Sequence, residues 1–296
     1  MRFKNFLLET TEQQISDAMI KRVVKLANPA YLDVFLNEDL KDTIQEDSNF
    51  IFRGTGHNSG LMKIKDHVTG RQSANTSNEF TILADNLLPS WKKYPKRSES
   101  FICTTSFLDA DSYGDRHYVI PFGNPDVGIC SSSDMWTSFN KLDEIDSEAG
   151  IQDFNGAIHE IYCALYDEKN ANVPTGELPV MKKLINDVNE ILDDKKKVTK
   201  ILKKMEDATQ KMGNANISSW IIRESVKTKD MLLALDKLLN TKTNEFELLK
   251  PIQLLNAPTM HREVWFSSQA AFIFADDEEE VNELRDRISH MKLTGK

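Results

Sequence analysis

The sequence predicts an α+β fold in which two separated β-rich stretches share one sheet and a long helical segment lies between them. Three observations predict it. Short apolar runs bounded by turn residues cluster at residues 49–133 and return at 251–275. Between them, residues 134–250 carry apolar positions at three- and four-residue spacing, with charges on the other positions. Neither β-rich stretch holds enough strands to cover a core alone, so the two are expected to pair.

The elements follow in order. Residues 1–48 read as an N-terminal helical region, broken at Asn28-Pro29 because the residue before proline avoids the helical conformation. NFIFRGT (49–55) reads as a strand closed by Gly54, and residues 56–78, rich in Gly, Ser, Asn and Lys, as an exposed loop. EFTILADNLLPSW (79–91) reads as a helix ending near Pro89. SFICTTSFLDA (100–110) reads as a strand and then a turn. HYVIPF (117–122) and VGICSS (127–132) read as strands joined by a turn at Gly123-Asn124-Pro125-Asp126. The helical insertion has joints at Pro174-Thr175-Gly176 and Gly213-Asn214-Ala215-Asn216. After Pro251, IQLL, EVWF and AAFIF read as strands, and residues 276–296 as a terminal helix.

Composition bounds the function. The chain has 296 residues, 40% hydrophobic and 28% charged, an ordinary globular mixture. A net charge of -9 argues against a general nucleic-acid binder, although it leaves room for a local basic groove. Cys103, Cys130 and Cys163 have no metal-site spacing and suggest a reducing compartment such as a cytoplasm. His117 and His159 lack ligand-spaced partners, so no metal is expected. No apolar run approaches the roughly 18–20 residues of a membrane span, so no membrane partner is expected. The phosphate loops GxxxxGK[ST] and GxGxxG do not occur.

Three islands carry chemistry: Phe52-Arg53-Gly54-Thr55, Ser100 to Ser106 ending in Thr104-Thr105-Ser106, and His261-Arg262-Glu263-Val264-Trp265-Phe266. In this order they resemble the Arg–Ser-Thr-Ser–Glu pattern of ADP-ribosyltransferases, in the cholera-toxin-like branch. The resemblance covers about 90 residues. It implies a split β-sheet core that binds NAD as a substrate, made of residues 49–133 and 251–275. It also implies transfer of ADP-ribose to a protein acceptor with release of nicotinamide. Arg53 would anchor NAD, since guanidinium matches phosphate oxygens by paired hydrogen bonds. Gly54 would let the backbone approach the ligand. Glu263 would be the catalytic glutamate, steadying positive charge that develops on the ribose. Thr104 would orient Glu263, with Thr105 and Ser106 supporting the pocket. His261 stands where the family has Glu or Gln. It could act as a base near neutral pH, or mark another acceptor, a pure NAD glycohydrolase or a degenerate enzyme.

Each island alone also reads as ordinary structure: a surface arginine, a strand end and a strand-edge charge. Arg97-Ser98 could contact a second anion, or belong to a solvated basic turn with Lys92, Lys93 and Lys96. Ser131-Ser132-Ser133-Asp134 reads as a helix N-cap region. Tyr113, Tyr118 and Phe101 could stack on nicotinamide or fill a core. Asp193-Asp194-Lys195-Lys196-Lys197 reads as a solvated helix face. Leu7, Leu8 and Glu9 read as an ordinary first helix turn, and also resemble the Leu-x-Glu site cut by head proteases in internal head proteins of tailed phages. That implies a phage protein packaged in a virion and acting in the host cytoplasm. The competing class is a non-enzymatic structural or interaction protein of the phage head with a degenerate transferase fold.

Overall fold

A computed structural model describes residues 15–37, 50–56, 60–63, 78–167, 175–209, 215–258, 261–275 and 278–295. The Leu7–Glu9 motif lies outside them. Helix α1 (Asp17–Leu26) opens on Ser16, whose hydroxyl accepts from Met19 N. Asn28 then caps α2 (Pro29–Leu36), with Pro29 in the first turn, where its missing N–H costs nothing. The chain continues through β1 (Phe52–Thr55), β2 (Gly60–Lys63), α3 (Glu79–Asn86), β3 (Phe101–Thr104), α4 (Phe107–Asp111), β4 (Asp115–Pro121) and β5 (Val127–Ile129).

The helical lobe comprises α5 (Asn140–Ile145), α6 (Ile151–Tyr166), α7 (Leu178–Ile191), α8 (Lys195–Thr209), α9 (Ala215–Thr228) and α10 (Met231–Leu238). Two of its breaks escaped the periodicity. Asp194 ends the α7 run by accepting from Lys196 N and Lys197 N at the start of α8. Asp230 caps α10 by accepting from Leu232 N, after Lys229 takes a left-handed backbone with φ 60. The chain closes with β6 (Glu247–Leu249), α11 (Pro251–Leu255), β7 (Glu263–Phe266), β8 (Ala270–Ala275) and α12 (Glu278–Thr294).

Four expectations are corrected. The 56–78 loop contains a strand, β2, paired with β8. IQLL is helical: Pro251 opens α11, and the Gln253 side chain accepts from Lys250 N at 2.8 Å. The strand in this region comes earlier, as β6, inside the stretch read as helical. The turn expected after β3 is helix α4, capped by Ser106.

All strands join one antiparallel sheet in the order β2-β8-β4-β1-β3-β7-β5-β6. The fold is therefore α+β. Its seam lies between β1 and β3, joined by the single pair Phe52↔Thr104. Beside it, β1–β4 and β3–β7 each carry four pairs. One face of both halves packs together: Ile51 and Val119 meet Phe101, Val127, Val264 and Phe266. On the opposite face the halves have different covers. Helices α1, α2 and α12 pack with Phe52, Tyr118 and Ile120. The helical lobe packs over Trp265, which is fully buried and stacks on Trp91 and Tyr94. Gly128, opposite Trp265 on β5, makes this possible, since a Cβ there would lie 2.3 Å from the indole.

Candidate active site

The seam is where the candidate residues meet. On the β1 side, Arg53 Nη1 donates to the Ile102 carbonyl of β3 at 2.8 Å. The guanidinium thus spans the gap that the ladder leaves open. Among the described residues its Nε is buried without a hydrogen bond, a state that costs about 1–3 kcal/mol. Gly54 has a different reason from the expected one. A Cβ there would sit 1.9 Å from the Ala110 carbonyl, so the glycine admits α4 against β1.

On the β3 side, the hydroxyl cluster does not orient Glu263. Thr104 stands opposite Glu263 in the ladder, but its Oγ1 donates to the Arg262 carbonyl and accepts from Ser106 N. Thr105 Oγ1 donates to the Arg262 carbonyl and accepts from Arg262 N. Ser106 Oγ caps α4 by accepting from Asp109 N. Thr105 and Ser106 are buried staples and do not line the cleft; Thr104 does.

Glu263 is held by a residue that the sequence reading discounted. Arg97 Nη1 donates to Glu263 Oε1 at 2.5 Å, and both side chains are only 15% exposed. Arg97 also lies over the Trp265 ring, 5.3 Å from its centroid. Its backbone is anchored in turn: Asp85 accepts from Arg97 N and Ser98 N at 2.8 and 2.9 Å. Burial works against the Arg97 charge, but Glu263, Cys130 and Asp85 together outweigh burial and move its pKa upward. The legible signal was the strand period: Glu263 and Trp265 share a face, so a cation stacked on Trp265 reaches the carboxylate. Glu263 Oε2 has no hydrogen bond among the described residues.

A cleft of about 570 Å³ opens here, lined by Arg53, Gly54, Thr104, Arg97, Asp109, Tyr113, Asp134 and Glu263 among others. That volume falls within the ~300–1,000 Å³ typical of small-molecule sites. His261 is exposed and does not line it. Of the three aromatic candidates, Tyr118 and Phe101 are buried in cores, while Tyr113 stands at the cleft, 71% exposed. A second hollow of about 420 Å³ lies around Arg262, Glu247 and Lys242 and does not include Glu263. Among the described residues no group of three side chains has the make-up of a metal site, and no helix is long and apolar enough to cross a membrane.

The arrangement offers a cation for phosphate, a carboxylate with one oxygen available, and an aromatic ring at the entrance. No family model, curated protein or solved structure matches this chain.

Proposed function

We propose that the protein is an NAD-consuming mono-ADP-ribosyltransferase that moves ADP-ribose to a protein acceptor and releases nicotinamide. One observation carries this reading. Arg53, Thr104 and Glu263, spread over more than two-thirds of the chain, line one cleft at the seam of the sheet.

The chemistry follows from the side chains. Arg53, whose Nε has no hydrogen bond among the described residues, would grip the NAD pyrophosphate. Tyr113 would stack on a flat ring of the substrate. Glu263 would accept a hydrogen bond from a ribose hydroxyl through Oε2 and stabilise the oxocarbenium character that grows as nicotinamide leaves. Arg97 takes over the positioning expected of Thr104, locking the carboxylate through Oε1. The helical lobe would help to choose the acceptor protein.

The same ion pair also favours the competing reading of a non-enzymatic interaction protein, because it occupies one oxygen of Glu263. Incubation with labelled NAD and cell lysate separates the two. The wild type should label protein and release nicotinamide, and Glu263→Ala should lower both by more than about 10²-fold. A wild type that does neither would leave the non-enzymatic reading standing.

A further inference from the structure

We infer that Asp134, rather than His261, takes the proton from the acceptor as ADP-ribose is transferred. The inference rests on the transferase reading and names the residue that fills its missing role.

The position two residues before Glu263 offers no acid, and its histidine points to no wall of the cleft: His261 is exposed and absent from the lining. The cleft nevertheless contains further carboxylates. Asp134 and Asp109 line it together with Glu263. Asp134 reaches it from the segment that follows β5. That strand abuts the glutamate: Cys130 N donates to the Glu263 carbonyl at 3.0 Å, and Asp134 lies four residues further on.

The segment is built to hold Asp134 still. Its carbonyl accepts from Ser138 Oγ at 2.5 Å, Ser132 Oγ at 3.0 Å and Thr137 Oγ1 at 3.3 Å. Ser132 Oγ and Ser138 Oγ lie 2.8 Å apart, so the hydroxyls cluster on this carbonyl. The carboxylate is fixed through Oδ1, which accepts from Trp136 N at 2.7 Å. Oδ2 has no hydrogen bond among the described residues. A base must be held in place while keeping one oxygen for the proton it removes. Asp109, by contrast, has no side-chain hydrogen bond to fix its carboxylate among the described residues. The hydroxyl-rich run Ser131-Ser132-Ser133-Asp134, read from sequence as a cap, does both jobs.

The surroundings suit a base. Burial pushes the Asp134 carboxyl up; the Trp136 N–H works against that, and the charge of Glu263 adds to it. A raised carboxyl is a stronger proton acceptor once ionised. Arg97 tempers the negative field, and Asp109 reinforces it.

The step balances without another reagent. The bond between ribose C1′ and the nicotinamide nitrogen breaks, and its electron pair leaves with neutral nicotinamide. An N–H or O–H side chain of the acceptor supplies the pair for the new bond to C1′. Its proton passes to Asp134 Oδ2. In hydrolysis water takes the acceptor's place and its proton passes on to bulk water, so hydrolysis of NAD depends less on Asp134 than transfer does.

Full-length wild type, Asp134→Asn and His261→Ala are each incubated with labelled NAD, with and without cell lysate. Nicotinamide release and protein-bound label are measured in parallel. Asparagine also caps helices, so Asp134→Asn keeps the local fold. The expected result is a loss of protein-bound label of about 10²-fold or more in Asp134→Asn. Its nicotinamide release without acceptor should stay within a few-fold of wild type, and His261→Ala should keep both. Asp134→Asn labelling protein at the wild-type rate would overturn the inference. So would an equal loss of label and nicotinamide, or a selective loss of label in His261→Ala. Those outcomes leave the transferase reading intact, whereas a wild type that releases no nicotinamide removes both.

Discussion

Glu224 in the helical lobe and Glu263 in the cleft are both carboxylates largely withdrawn from water and met by cations, yet they are satisfied differently. Glu224 on α9 gives one oxygen to Lys227 at 2.8 Å and the other to Lys237 of α10 at 2.7 Å. Those hydrogen bonds hold its carboxyl below the usual glutamate range. Glu263 gives one oxygen to Arg97 and presents the other to a cleft. The first arrangement is closed and ties two helices together. The second is half closed: it fixes a rotamer while leaving a bonding position open. A half-satisfied carboxylate, lining the same cleft as Arg53, whose Nε has no hydrogen bond among the described residues, suits a ligand more than cohesion.

Breaking the support of the cleft should have the largest effect. Trp265 joins the lobe to β7, donates through Nε1 to the Pro95 carbonyl and carries Arg97 on its face. Trp265→Ala should cost about 3–5 kcal/mol in urea unfolding. A loss below about 1 kcal/mol would mean that the lobe and sheet do not depend on this contact. Arg53→Ala comes next. It removes charge-assisted hydrogen bonds worth about 1.5–3 kcal/mol, so NAD should bind roughly 10- to 100-fold more weakly by calorimetry. Unchanged binding would deny Arg53 the anchoring role.

The smallest effect sharpens the contrast from the lobe side. Both lysine partners of Glu224 are mostly exposed, so Glu224→Gln should destabilise by about 1 kcal/mol or less at pH 7, with NAD turnover unchanged. Its sign with pH is fixed by the direction of the shift. The folded-state value lies below the unfolded one of about 4.3. The stabilisation is therefore present above that unfolded value and lost as pH falls through the folded one. Unfolding at pH 7 and at about pH 3 should show the gap between wild type and variant closing in acid. A gap that persists would assign the effect to packing and not to charge.

Local patterns made much of the frame legible. The break at Asn28-Pro29 follows from proline sterics, and the strands at Phe52, Phe101, Val127 and Glu263 follow from apolar runs between turn residues. Strand β2 escaped because its Gly-Leu-Met-Lys sequence sits in a polar stretch and is specified by pairing with β8. IQLL misled because a short apolar run has no period of its own; Pro251 and the Gln253 cap decide for a helix. The site was half legible. Arg53, Thr104 and Glu263 stand out by residue type at strand ends. Arg97 hid among surface lysines, and Asp134 behind its role as a cap.

By itself, the sequence determined the helical block between two β-rich stretches, the strands around Phe52, Phe101, Val127 and Glu263, and the chemical types these strands carry, because these follow from local sterics and hydrophobic period. Tertiary structure alone decided that β1 and β3 share a single bridge, that Trp265 draws Arg97 onto Glu263, and that Asp134 rather than His261 faces the cleft. Those outcomes depend on partners distant in the chain, whose meeting is governed by packing and register and has no local signature.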